Sequence, residues 1–293
     1  MRRAVIDLGT NTFNLLIGDT STREILFKIK DGVSLGMGGI NNGILSQDAI
    51  ERAFKTLKTF EKYCQDWNVQ EIRSIGTSAL RDASNSDILL NRVQKSLGIE
   101  IEIISGLQEA NLIYEGVRLT HHFNHPAMIM DIGGGSTEFI AADKSGPYIA
   151  QSFDVGVSRL FQLFEFEDPL SNLDISKIED YLSSKCSIFF KQKLPRVLIG
   201  ASGSFETFYE VLNEKHFLSA ERAISVPIIE FRQMLDKIII STQKERDVNQ
   251  FIINIRKKMA PLAAIKTRWV LNQTQIEQIF ISPYSLKEGV LYS

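Results

Sequence analysis

The sequence predicts an α/β protein built from two duplicated domains, and three observations carry that prediction. Short apolar runs bounded by Gly, Asn and Asp alternate with stretches of helical periodicity, which is the pattern of a layered α/β architecture. The segment Ile6-Asp7-Leu8-Gly9-Thr10-Asn11-Thr12 returns as Met130-Asp131-Ile132-Gly133-Gly134-Gly135-Ser136, so that Asp131 lies 124 residues after Asp7. A chain of 293 residues has room for two such units at roughly 100–200 residues per domain.

Residues 4–8, 13–18 and 24–29 read as three strands separated by the turn chemistry of Gly9–Asn11 and Asp19–Thr22. A long helix follows, with Ser46 as its N-cap and Ile50, Ala53, Phe54, Leu57, Phe60, Tyr63, Cys64 and Trp67 on one apolar face. Residues 72–75 and 101–104 are expected as buried strands around a helix near 87–97. The second half restarts with a strand at 127–132, a Gly-rich turn at Gly133–Gly135 and a strand at 137–142. From Gly156 onward helices are expected to dominate, interrupted by the apolar run 197–199 that leads into Gly200-Ala201-Ser202-Gly203. Residues 121–126, polar and His-rich with Pro126, are the candidate linker. A metal site on His121, His122 and His125 is disfavoured because no Cys or carboxylate lies at ligand spacing.

Composition narrows the function classes. Thirty-three Lys+Arg against 35 Asp+Glu leave a formal net charge of −2, without the basic excess of a general nucleic-acid binder. Two cysteines, Cys64 and Cys186, are too few and too far apart for a disulfide scaffold or a thiolate zinc site. No apolar run approaches the roughly 20 residues of a membrane span, and Asp7, Gly9 and Asn11 interrupt what a signal peptide would need. A cytoplasmic protein with reduced thiols is the expectation.

The repeat carries the chemistry. Its register continues through the next strand, where Leu15-Leu16-Ile17 aligns with Phe139-Ile140-Ala141 and Asp19 with Asp143. Each copy reads as a hairpin whose Asp ends a strand and whose Gly/Ser/Thr turn offers backbone N–H groups to a phosphate. Asp7 and Asp131 could then hold a hydrated hard cation; Mg²⁺ suits, because it needs only one or two protein carboxylates when phosphates complete its shell. No Walker P-loop or dinucleotide fingerprint is present.

Four motifs in order give the chain a family resemblance: Asp7-Leu8-Gly9-Thr10-Asn11-Thr12-Phe13, then Gly76-Thr77-Ser78-Ala79-Leu80-Arg81-Asp82-Ala83. After them come Ile104-Ser105-Gly106-x-x-Glu109-Ala110 and Asp131-Ile132-Gly133-Gly134-Gly135-Ser136-Thr137-Glu138. The chain resembles the exopolyphosphatase/guanosine pentaphosphate phosphatase family in its short, two-domain form. The resemblance implies the actin-like fold of acetate and sugar kinases, two ribonuclease-H-like domains with an interdomain cleft. It assigns residues 1–122 plus 284–293 to the first domain and 123–283 to the second.

Residue by residue, the resemblance implies that Glu109 is the catalytic base and Glu138 a catalytic-site carboxylate that helps place water or metal, with Asp7 and Asp131 linked to metal. Phosphate would be met by Thr10, Asn11, Thr12, Arg81, Gly133, Gly134, Gly135, Ser136, Thr137 and Arg159. Gly200, Ser202 and Gly203 stand where nucleotide-using relatives of the fold have a binding turn. The implied activity is Mg²⁺-dependent hydrolysis of phosphoanhydride bonds in inorganic polyphosphate or guanosine pentaphosphate. Those substrates are the expected partners, with room for a homodimer, no general nucleic-acid binding and no membrane partner. Gln108, Asn111 and Ser34 stand where the family has an acid and two basic residues. These departures motivate an alternative, a polyphosphate or nucleotide sensor with little or no turnover; a kinase on the same fold ranks below it.

Overall fold

The computed structural model describes residues 1–217 and 222–293. The chain divides into two compact units, Met1–Gly116 with Ser285–Ser293, and Val117–Tyr284. The division falls at Gly116 rather than after residue 122. Beyond it the chain is already engaged with the second unit: Thr120 Oγ1 lies 3.0 Å from Ser282 Oγ, Ala223 N–H donates to Thr120 O, and the His121 ring packs edge-on against Phe280. The His-rich segment therefore belongs to the second unit.

In the first unit, β1 (Arg2–Leu8), β2 (Phe13–Asp19) and β3 (Glu24–Asp31) form the expected meander. They are followed by α1 (Gln47–Asp66), β4 (Glu71–Gly76), α2 (Ser78–Asp82), α3 (Ser86–Leu97), β5 (Ile101–Ile103) and α4 (Gly106–Val117). The strand order is β3-β2-β1-β4-β5, with β2 antiparallel to β1 and to β3 and β4 and β5 running parallel to β1. β1 lies mid-sheet because Ala4, Val5, Ile6 and Leu8 are apolar on both faces, and all four are fully buried. Ser46 caps α1 by accepting from Ala49 N–H, and Ile50, Ala53, Leu57, Phe60 and Cys64 form its buried stripe.

The second unit repeats the plan. β6 (Ala127–Ile132), β7 (Thr137–Asp143) and β8 (Gly146–Phe153) make a second meander, followed by α5 (Val157–Leu163), α6 (Asn172–Phe190), β9 (Val197–Ala201) and α7 (Ser202–Asn213). The unit continues through β10 (Ile224–Val226), α8 (Ile228–Ile240), α9 (Gln243–Val248), α10 (Ala260–Gln273) and β11 (Gln278–Ile281). Its order, β10-β11-β9-β6-β7-β8, is the first sheet read in the other direction with β10 added antiparallel at one edge. A meander whose first strand is extended by parallel strands is the ribonuclease-H-like topology, and the chain contains it twice, as the actin-like fold class does. β8 was not read from the sequence, although shifting residues 24–29 by the repeat offset would have pointed to it.

The chain ends in α11 (Leu286–Tyr292), which closes the first unit. Arg3 donates to Leu291 O at 2.9 Å and the Tyr292 hydroxyl to Arg23 O at 2.9 Å, so a helix far away in sequence is anchored to the first strands. Among the described residues, no helix is long and apolar enough to cross a membrane.

Candidate active site

In each unit the motif residues gather at the carboxyl ends of parallel strands, where open α/β sheets bind ligands. In the first unit the Gly9–Thr12 loop follows β1, Thr77–Arg81 follows β4, and Ser105–Glu109 follows β5. The sheet register places Leu8 beside Gly76 and Gly76 beside Ile103, so three segments distant in sequence meet on one edge.

Arg81 and Glu109 are partners there. Arg81 Nη1 donates to Glu109 Oε2 at 3.0 Å and to Ile104 O at 3.2 Å, while its contact with Asp82 is longer, 3.8 Å. Glu109 sits in the first turn of α4 as expected and is 7% exposed. The same turn accounts for Gln108: Ser105 N–H donates to Gln108 Oε1 at 2.8 Å and Gln108 N–H to Ser105 Oγ at 3.2 Å. This is the reciprocal capping box, in which Gln and Glu are equivalent. One departure from the family pattern thus serves helix capping.

The two Gly/Thr/Ser loops are built alike. Gly9 N–H donates to Thr12 O at 3.2 Å, and Gly133 N–H to Ser136 O at 3.1 Å. In the second unit the carbonyls of Gly133, Gly134 and Gly135 accept from Val157 N–H (3.1 Å), Ser158 N–H (2.8 Å) and Gly156 N–H (3.1 Å). Arg159 Nε also donates to Gly135 O at 2.8 Å. Because a trans peptide sets C=O and N–H on opposite sides, turning these carbonyls toward α5 turns the N–H groups of Gly134, Gly135 and Ser136 the other way. Three consecutive amides turned to one side are an arrangement that can receive an anion. In the first unit the carbonyls of Thr10 and Asn11 accept from Gly36 N–H (3.0 Å) and Ser34 N–H (2.8 Å), which turns the amides of Asn11 and Thr12 outward.

The backing turns extend the repeat beyond what was read from the sequence. Ser34 serves Asn11 as Gly156 serves Gly135, and Gly36 serves Thr10 as Ser158 serves Gly134. Gly156 was missed as a site residue. A Cβ there would lie 2.2 Å from Gly134 O, so only glycine lets the turn approach the loop this closely. The internal repeat, carried on past its third strand, is the signal that could have found it. Ser34 has a second duty, since its carbonyl and that of Val33 accept from Arg52 at 3.1 and 2.8 Å.

The acids differ between the halves. Asp7 faces Asn14 across β1 and β2 and accepts from Asn14 Nδ2 at 2.9 Å. Asp131 faces Glu138 in the matching register of β6 and β7; both are nearly buried, at 6% and 1% exposure, and Glu138 accepts from Ser152 Oγ at 2.7 Å. Among the described residues, no group of three or more His, Cys, Asp or Glu is placed to hold a metal. Mg²⁺ does not require one, and carboxylates on the facing residues Asp131 and Glu138 are donors of the hard-oxygen type that such a cation takes beside water and phosphate.

Two further expected residues meet protein rather than open space. Thr137 Oγ1 accepts from Lys266 Nζ at 2.8 Å. Ser202 and Ser204 hydroxyls donate to Ile132 O at 3.2 and 3.5 Å, which ties the Gly200–Gly203 turn to the end of β6. The Arg256 guanidinium occupies the space a side chain at Gly203 would take, held by Thr207 Oγ1 at 2.9 Å.

The model of the Ppx/GppA phosphatase family matches residues 17–293. The crystal structure of an exopolyphosphatase from Cytophaga hutchinsonii is 35% identical, with a TM-score of 0.95 over 100% of this chain and 97% of that one. A guanosine-5'-triphosphate,3'-diphosphate pyrophosphatase of Pseudoalteromonas translucida is 28% identical over 99% of this chain, which spans 58% of that relative's length. The Aquifex aeolicus PPX-GPPA enzyme, 23% identical, shares the fold with a TM-score of 0.82 over 100% of this chain and 99% of that one.

Proposed function

We propose, from the premise that this chain belongs to the Ppx/GppA phosphatase family, that it hydrolyses terminal phosphoanhydride bonds of inorganic polyphosphate or guanosine pentaphosphate. The observation that carries the reading is the set of outward-facing amides of Gly134, Gly135 and Ser136 in the second unit; the first unit, for its part, holds a Glu109 carboxylate fixed by Arg81.

The chemistry follows from those groups. The loop amides receive the non-bridging oxygens of a phosphate without any reorganisation, and they strengthen as charge builds on it. Arg81 keeps Glu109 in one rotamer and supplies a cation at the strand ends of the first unit. Glu109 accepts a proton from water as the water oxygen bonds to the terminal phosphorus. The bridging P–O bond breaks, orthophosphate forms, and the chain leaves one phosphate shorter as an anion. Mg²⁺, if held by Asp131 and Glu138 in the second unit or by Asp7 in the first, would neutralise phosphate charge. The hard-oxygen pair Asp131/Glu138 supports that choice of cation.

The test is phosphate release from polyphosphate and from guanosine pentaphosphate, with Mg²⁺ and with chelator. Release that needs the metal and disappears in Glu109→Gln supports the reading. Tight binding with no release by the wild-type protein would make it a sensor, and transfer to an acceptor without hydrolysis would make it a kinase.

A further inference from the structure

α10 is buried on every side: Ala260 to Thr267 and Trp269 to Leu271 are all withdrawn from solvent. A helix in that setting is expected to be apolar all round, yet Lys266 sits at its middle, 1% exposed. Its ammonium donates to Thr137 Oγ1 at 2.8 Å and to the carbonyl of Val155. Both acceptors are neutral, although a buried charge ordinarily demands an anionic partner.

The acceptors identify what the charge does. Thr137 follows Ser136, the last residue of the Gly-rich loop, and Val155 precedes Gly156, the glycine that backs the loop. Lys266 thereby fastens together the two chain segments whose contact turns the amides of Gly134, Gly135 and Ser136 outward. The hydroxyl it touches is one residue from the loop, which puts the charge within roughly 10 Å of those amides. Glu138 on β7 and Cys186 on α6 are the ionisable groups that face it.

We propose that Lys266 is a positioning residue of the phosphate loop: from behind, its ammonium fixes the loop's shape and presents a positive charge to the phosphate bound in front. This rests on the reading that the loop binds phosphate. Burial pushes the Lys266 pKa down to about 7, against the opposing pull of Cys186 and Glu138. A unit charge about 10 Å away, at an effective dielectric near 20, changes anion affinity on the order of tenfold.

The experiment is calorimetric titration of the whole protein with inorganic triphosphate, for wild type and Lys266→Met, with melting curves for both. Binding about tenfold weaker in the variant, per folded molecule, with KM for polyphosphate raised and kcat largely kept, is the expected result. A residue that only filled space would shift melting and leave affinity unchanged. Equal affinities would overturn the role of Lys266 while leaving the loop's function intact. A wild-type protein that does not bind triphosphate would overturn both. If Lys266→Met does not fold, Thr137→Val removes one anchor with little change of shape; it should weaken triphosphate binding several-fold, and unchanged binding there overturns the proposal equally.

Discussion

Gly156→Ala tests whether the backing turn shapes the phosphate loop. Gly156 has φ −59° and ψ 158°, a conformation alanine adopts freely, so backbone strain plays no part. The added Cβ would meet Gly134 O at 2.2 Å and the carbonyl carbons of Gly134 and Gly135 at 2.3 and 2.4 Å, where ordinary contact begins at 3.4 Å. All three are backbone atoms and cannot swing aside. Relief requires a separation of about 1.2 Å (3.4 minus 2.2), which carries the Ser158 N–H to Gly134 O hydrogen bond from 2.8 Å to about 4.0 Å. The bonds from Gly156 to Gly135 and from Val157 to Gly133, both 3.1 Å, weaken with it. At about 1 kcal/mol each, the three cost roughly 2–4 kcal/mol, enough to lower melting by about 5–15 °C. Misplacing a binding group by about 1 Å costs on the order of 10²-fold in rate. Melting curves and kcat/KM for phosphate release read the two effects separately. A variant that melts and turns over like wild type would refute the claim that this contact sets the loop.

Glu109→Gln should fold normally but hydrolyse polyphosphate on the order of 10²-fold or more slowly, because the amide keeps the shape and cannot take the proton; near wild-type kcat would move the base elsewhere, with Glu138 next to be tested. Asp7→Asn and Asp131→Asn should each lower activity at saturating Mg²⁺ by about 10²-fold, the Asp131 change also raising the Mg²⁺ concentration needed; unaffected rates in both would remove the metal from the account. Lys266, with its pKa near 7 against the ordinary 10.5, binds fewer protons folded than unfolded between those values. Stability therefore rises with pH from about 7 toward 10.5, by up to about 5 kcal/mol. Lys266→Met should lose the Lys266 contribution to that rise in denaturant titrations run from pH 6.5 to 10, and an unchanged slope would contradict the burial of a charged amine there.

Much of this protein is written locally. The repeat of Asp-x-Gly with a Ser or Thr after it needs only a strand, a turn and a strand, and those are short-range choices that residues 6–12 and 130–136 make for themselves. The Ser46 cap, the apolar stripe of α1 and the placement of Glu109 in the first turn of α4 are local in the same sense, and the family motifs are contiguous stretches. What remained hidden depends on contacts between residues far apart in the chain. That Arg81 reaches Glu109, at a shorter distance than its sequence neighbour Asp82, follows from β4 and β5 lying side by side. The outward turn of the loop amides is set by carbonyls that bond Gly156, Val157 and Ser158, some twenty residues away, and no pattern within the loop states it. Lys266 looks, in sequence, like a surface residue of an ordinary helix. Only the packing of α10 in the middle of the second unit withdraws its charge from water and points it at Thr137 and Val155, because burial is a property of the assembled fold and not of any single segment.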